Sequence, residues 1–138
     1  MFSILMFFLS IYTFSMEIVE KFDFSSFNFS WINSISKVGY IRMEKITPEN
    51  FDDFNNMWQI ATKIGGFMRN TDGIKADDVA FHSVQKKQQQ RYIDIIPRYH
   101  GDYEENNDTY NIAESDVQKS TGEEIKLLVE KLKTFLDC

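Results

Sequence analysis

One short stretch limits the fold of this chain more than any other. Residues 88–98 alternate polar and apolar side chains and run up to Pro97. This alternation predicts a β-strand that ends at the proline. Its two faces carry the sets Arg91, Ile93, Ile95 and Tyr92, Asp94, Ile96. Because the second face holds two polar side chains, a neighbouring strand or a ligand must accommodate them.

The rest of the chain supplies further strands and two amphipathic helices. Residues 17–44 alternate β-formers with polar residues and predict a strand pair, and residues 79–85 predict another strand. A helix is predicted from Thr47-Pro48-Glu49 to Gly65-Gly66, with an aromatic stripe that belongs to the core. A second helix starts at Ser120, where two capping boxes overlap. The order predicts an α+β domain, an antiparallel sheet of about five strands with two helices.

Composition excludes several classes of function. The 138 residues fit a single domain, and the net charge of −6 comes without a basic stripe. Binding to nucleic acid or to an anionic membrane surface is therefore not expected. The only cysteine is Cys138 and the only histidines are His82 and His100, so neither an internal disulfide nor a cysteine or three-histidine metal site can form. No metal and no cofactor is predicted.

The N-terminal segment stands apart from the rest. Residues 1–15 carry no charge and are mostly apolar, which is typical of a signal-peptide core but too short for a membrane-spanning helix. The segment is either a secretory or anchoring signal or an upstream extension, and the domain is predicted to cover residues 16–138. The protein is expected to be secretory in the first case and cytoplasmic in the second.

Several motifs in order resemble a known family. Ile95-Ile96-Pro97-Arg98, Gly101-Asp102 and Asn107-Asp108-Thr109-Tyr110, followed by a capped terminal helix, resemble the C-terminal half of histidine triad proteins of the Fhit branch. Members of that branch are dinucleoside polyphosphate hydrolases related to bis(5'-adenosyl)-triphosphatases. The resemblance extends with gaps over residues 17–138, where Asn33, Gly39 and the helix start at Thr47 follow the family's order.

The resemblance implies a fold, a ligand and a set of site residues. It implies a homodimer that extends the sheet, and an adenine nucleotide or dinucleoside polyphosphate as ligand. Asn33 would contact the ribose and Gln85 would position the phosphates. The three family histidines fall on Gln90, Tyr92 and Asp94, with Tyr92 at the position of the nucleophile.

Departures from the family pattern predict that catalysis is lost. A phenol is a weak nucleophile at neutral pH because it is almost wholly protonated. Asp94 would add negative charge beside the phosphates, and Lys86-Lys87-Gln88-Gln89 replaces a segment whose glycine lets the backbone approach them. The predicted function is a catalytically impaired nucleotide-binding or interaction module, and the chain is not expected to be an enzyme.

Two other interpretations remain open from the sequence. A divergent hydrolase or nucleotidyl transferase could use Tyr92 or His100 in place of the missing histidine. A secreted α+β protein with no relation to nucleotide enzymes would fit the apolar N-terminal segment. His82 and Ser83 are adjacent, so alternation places them on opposite faces of a strand and gives His82 a structural or surface role.

Overall fold

A computed structural model describes residues 18–33, 38–45, 51–85, 91–100 and 120–137. Within these ranges the chain forms five strands and two helices. The elements are β1 (Ile18–Phe24), β2 (Phe27–Ile32), β3 (Tyr40–Lys45), α1 (Phe51–Asn70), β4 (Asp78–Gln85), β5 (Arg91–Arg98) and α2 (Gly122–Leu136). The predicted start of the first helix at Thr47 and the N-terminal segment 1–15 lie outside the described residues.

The five strands form one antiparallel sheet in the order β1-β2-β3-β5-β4. β5 is therefore an inner strand, with β3 on one side and β4 on the other. The predicted α+β class, with a five-stranded antiparallel sheet and two helices, is confirmed. Register also confirms the predicted alternation, since Ile93 and Ile95 lie in the helix-covered core.

Both helices pack on one face of the sheet. Inner-strand side chains such as Phe29, Trp31 and Ile93 form the core with the buried stripes of α1 and α2. The buried residues of α1 are Met57, Ala61, Ile64, Phe67 and Met68. Burial of this apolar surface is the main source of stability. It also fixes which side chains of each strand point away from the helices.

The first helix does not stop at Gly65-Gly66, as the sequence suggested, but continues to Asn70. Gly65 serves a close contact instead. A Cβ atom at this position would lie 2.8 Å from Cζ of Phe81 on β4, so a larger residue here would have to displace that ring. The two buried residues Phe67 and Met68 then extend the apolar stripe by a further turn.

Two strand predictions also need correction. Residues 17–44 hold three strands and not a pair, because Ile18–Phe24 forms an edge strand beside β2. β5 does not end at Pro97, which pairs with Val79, but continues to Arg98. The ladder between β3 and β5 is formed as far as Ile95 only, so the missing N–H of the proline costs no ladder bond to β3.

Gly39, the residue directly before β3, has a backbone conformation that favours glycine. Gly39 has a φ of 79°, and a Cβ there would overlap the carbonyl oxygen of Ile32. The indole N–H of Trp31 donates to the carbonyl oxygen of Val38 at 2.7 Å, which ties the end of the turn to the core. Gly39 is therefore required by the backbone, as its place in the motif order suggested.

The terminal helix uses one of its two candidate capping boxes. Thr121 is the N-cap, and its hydroxyl accepts from the N–H of Glu124 at 3.2 Å. The Glu124 carboxylate accepts in return from the N–H of Thr121 at 2.9 Å. The reciprocal pair satisfies two backbone donors that the helix itself leaves without partners.

Candidate functional site

The candidate site lies on the distal face, the side of the sheet that faces away from both helices. Its central residues are Tyr40, Arg42, Tyr92, Asp94 and Ile96. Tyr92 is paired across the ladder with Glu44, and Asp94 is paired with Arg42. The face thus brings together two of the three positions at which the resembled family carries histidines.

Asp94 is neutralised by Arg42. Nε of Arg42 donates to Oδ1 of Asp94 at 2.8 Å, and Nη2 donates to Oδ2 at 2.9 Å. The Asp94 side chain is fully buried, whereas that of Arg42 is 18% exposed. Such a bidentate pair is stronger than a neutral hydrogen bond and fixes both side chains. The expectation that Asp94 repels an anion is therefore weakened, because its charge is balanced within the fold.

Arg42 also covers Tyr92. Its Cζ lies 4.2 Å from the centroid of the Tyr92 ring and 5.9 Å from that of Tyr40. At the shorter distance a guanidinium is attracted electrostatically to the face of the ring. The Tyr92 side chain is thus packed beneath a cation that Asp94 already holds in place.

The charged groups of this face alter the proton affinity of their neighbours. Burial raises the pKa of Tyr40 to about 12, an effect that Arg42 partly opposes and that Asp94 and Tyr92 reinforce. The hydrogen bond to Asp94 raises the pKa of Arg42, while burial acts in the opposite direction. The phenol of Tyr40 therefore stays neutral, and Arg42 stays charged, over the whole physiological range.

Of the other residues predicted for the site, Asn33 lies far from Tyr92 on the sheet. Asn33 follows the last residue of β2, two strands and five ladder positions from Tyr92, which corresponds to about 20 Å between Cα atoms. Its Oδ1 is buried and, among the described residues, has no hydrogen-bond partner. Gln85 ends β4 opposite Arg91, and Gln90 lies outside the described residues.

Neither histidine takes over the position of Tyr92. His82 lies on β4 directly across from Asp94, on the distal face. His100 is exposed beyond the far end of β5, and its backbone N–H donates to Oδ2 of Asp77 at 2.8 Å. The six residue steps from Tyr92 to Arg98 alone span about 20 Å, so His100 is too distant to accept a proton from Tyr92.

Sequence reasoning missed Arg42. Alternation within residues 38–43 placed it on the same face as Tyr40, but its pairing with Asp94 depends on the register between strands 52 residues apart. A signal was nevertheless present, since a buried carboxylate on an inner strand needs a cationic partner and Arg42 is the basic residue at the centre of β3.

The described residues offer no metal site. Among the parts of the chain that the structure covers, no group of three or more His, Cys, Asp or Glu side chains could hold a metal ion. Neither described helix is long and apolar enough to cross a membrane.

These features define the fold class as that of the histidine triad proteins, a five-stranded antiparallel sheet with both helices on one face. Among solved structures, the chain is similar to a zinc-bound histidine triad family protein from Mycobacterium smegmatis, with a TM-score of 0.55 and 14% identity. The alignment covers 92% of this chain and 94% of that one. No family model and no curated protein matches the sequence. At this identity the likeness shows the fold alone.

Proposed function

We propose that this chain is a catalytically impaired relative of the Fhit-like nucleotide hydrolases, which binds adenine nucleotides or dinucleoside polyphosphates without cleaving them. The fold supports the relationship, and the composition of the distal face supports the loss of catalysis. The observation that carries the proposal is the cluster of Arg42, Asp94 and Tyr92, since the resemblance aligns Tyr92 and Asp94 with two of the three family histidines.

The cluster is unsuited to nucleotidyl transfer. A nucleophile must have a free approach to phosphorus and a neighbouring group that accepts its proton or keeps it deprotonated. Tyr92 has the guanidinium of Arg42 against its ring, and Arg42 is itself held by two hydrogen bonds. The charge of Arg42 is balanced by Asp94, so it supplies less attraction to a polyphosphate than an unpaired cation would.

The residues on the sheet between this cluster and the end of β2 support a binding role. The buried Oδ1 of Asn33 is an acceptor without a described partner, and such a group is compensated when a donor such as a ribose hydroxyl reaches it. Tyr40 and Arg42 lie between Asn33 and Asp94 on the sheet. A homodimer that extends the sheet, as in the resembled family, is part of the same proposal.

Calorimetric titration with AMP, ADP and diadenosine triphosphate tests the binding role. We expect measurable heat with the wild-type chain and a weaker affinity for Asn33→Ala. Asn28→Ala is the matched control, because Asn28 lies at the other end of β2 and its amide bonds Asp23 at 2.8 Å. The absence of heat at millimolar ligand would remove nucleotide binding and leave an interaction role for the fold.

A turnover assay on diadenosine triphosphate tests the loss of catalysis. We expect no hydrolysis by the wild-type chain, and the same result for Tyr92→Phe and His100→Ala. Hydrolysis by the wild-type chain that disappears in Tyr92→Phe would contradict the proposal and support a divergent hydrolase. Hydrolysis that both variants retain would indicate a contaminating enzyme.

A further inference from the structure

A line of apolar side chains crosses the distal face beside the Arg42–Asp94 cluster. We name it the distal stripe, and its residues are Ile18, Ile32, Tyr40, Ile96 and Ala80. Each belongs to a different strand, and the pairs Ile18–Ile32, Ile32–Tyr40 and Ala80–Ile96 are direct ladder partners. Ile32, Tyr40 and Ile96 form an apolar cluster separate from the main core, with Ala80 packed against it.

The centre of the stripe is covered, although both helices lie on the opposite face. Ile32 is 2% exposed, and Tyr40 and Ile96 are fully buried. Among the described residues, the apolar side chains of this cluster all come from the strands themselves. Side chains in the middle of an uncovered sheet face keep part of their surface in water. A further segment of the chain over the stripe would account for this burial.

The geometry points to the N-terminal segment as the cover, and we propose that residues 1–17 pack across the distal stripe. The segment joins the sheet at Ile18, which is itself the β1 member of the stripe and remains 47% exposed at the sheet edge. The first described residue after the segment thus belongs to the row of side chains that the segment would cover.

Length and chemistry agree with this occupant. Five strands span about 19 Å, which a 15-residue segment can cross either as a helix of about 22 Å or in extended form. Residues 1–15 hold eleven large apolar side chains and no charge. Residues 101–119, which connect β5 to α2, carry six carboxylates against one lysine. An acidic segment would have to desolvate charge to cover an apolar stripe, so it is the poorer match.

Photo-crosslinking in the full 138-residue chain tests the assignment. A benzoylphenylalanine replaces Phe7 in one variant and Phe8 in another, so that both sides of the segment are sampled, and replaces Tyr110 in the control. Trypsin places Ile32, Tyr40 and Ile96 on three separate peptides, residues 22–37, 38–42 and 92–98. We expect position 7 or 8 to crosslink within the chain to at least two of them, at distal-face residues, and position 110 to give no such products.

Other patterns of crosslinks would overturn the proposal. Capture of the stripe from position 110 alone would assign the cover to residues 101–119. Products that join heavy-isotope-labelled to unlabelled chains in a mixed sample would assign it to a second copy. Crosslinks from positions 7 and 8 that avoid the stripe would show that the segment packs elsewhere. A segment on the stripe lies over Tyr40, between Asn33 and Asp94, and would compete with a nucleotide for that face. The crosslinks are measured without nucleotide and the titration measures nucleotide binding, so failure of the inference and failure of the proposed function are distinguishable.

Discussion

Removing Arg42 while Asp94 stays buried is expected to lower the free energy of unfolding by a large amount that a substitution can measure. In Arg42→Met the carboxylate of Asp94 stays fully buried and loses both of its hydrogen bonds to the guanidinium. Removing one partner of a buried pair costs about 3–5 kcal/mol, because the remaining charge is left uncompensated. Two charge-assisted hydrogen bonds at roughly 1.5–3 kcal/mol each give the same range.

This loss is a large fraction of the total stability. A domain of this size has a free energy of unfolding of about 5–15 kcal/mol, so Arg42→Met is expected to lower the midpoint of thermal unfolding by roughly 10–20 °C. Urea denaturation followed by tryptophan fluorescence measures the difference in free energy of unfolding. Trp31 and Trp58 report on the core without touching the substituted pair.

Two comparisons separate burial of charge from the mere loss of a contact. Arg69→Met breaks an ion pair with Asp78 of similar length, 2.9 Å, but with side chains 50% and 63% exposed, and we expect a cost below about 1 kcal/mol. The double variant Arg42→Met with Asp94→Leu removes both charges and is expected to recover most of the loss. A cost for Arg42→Met no greater than that for Arg69→Met would refute the assignment of Asp94 as a buried, compensated charge.

Three further outcomes follow from the described contacts. Because the folded-state pKa of Tyr40 is about 12, above the ordinary value of about 10, its contribution is complete below pH 10 and is lost between pH 10 and 12. The wild-type chain should therefore lose up to about 3 kcal/mol more than Tyr40→Phe over that interval in denaturant titrations; equal losses would contradict the burial of the phenol. Gly39→Ala should destabilise the fold by more than about 2 kcal/mol, because Gly39 has a positive φ and a Cβ there would overlap Ile32. Gly66→Ala should stabilise it by about 0.5–1 kcal/mol, because a Cβ at this helical position meets nothing within 4 Å. Equal changes of the melting temperature in the two variants would refute this. Thr121→Ala should cost about 1 kcal/mol through loss of the cap, and an unchanged urea midpoint would contradict the role of its capping box.

Local patterns predicted most of the architecture. Alternation in β5 assigned Tyr92 and Asp94 to one face, and the capping residues located the start of α2 to within one position. These features depend on neighbours in sequence, for which period and propensity are informative. The prediction that α1 ends at Gly65-Gly66 was wrong because it, too, used only neighbours in sequence. The contact that explains Gly65 is made with Phe81 on a distant strand.

The electrostatics of the site could not be predicted in the same way. Whether Asp94 repels an anion depends on its distance from Arg42, and that distance is set by the register of two strands that are far apart in the chain. The resemblance to histidine triad proteins suggested Gln90, Tyr92 and Asp94 as site residues but did not indicate Arg42. The pairing of Arg42 with Asp94 and its packing on Tyr92 became visible only in three dimensions.

Intact-protein mass spectrometry tests the central claim most directly. The wild-type chain is incubated with diadenosine triphosphate, quenched with acid and weighed. If the Arg42–Asp94–Tyr92 cluster has replaced the catalytic histidines, the mass is expected to stay that of the unmodified chain at every time point. A mass increase equal to one adenylyl group, located on Tyr92 by peptide sequencing and absent from Tyr92→Phe, would show that covalent nucleotidyl transfer survives and would contradict the account.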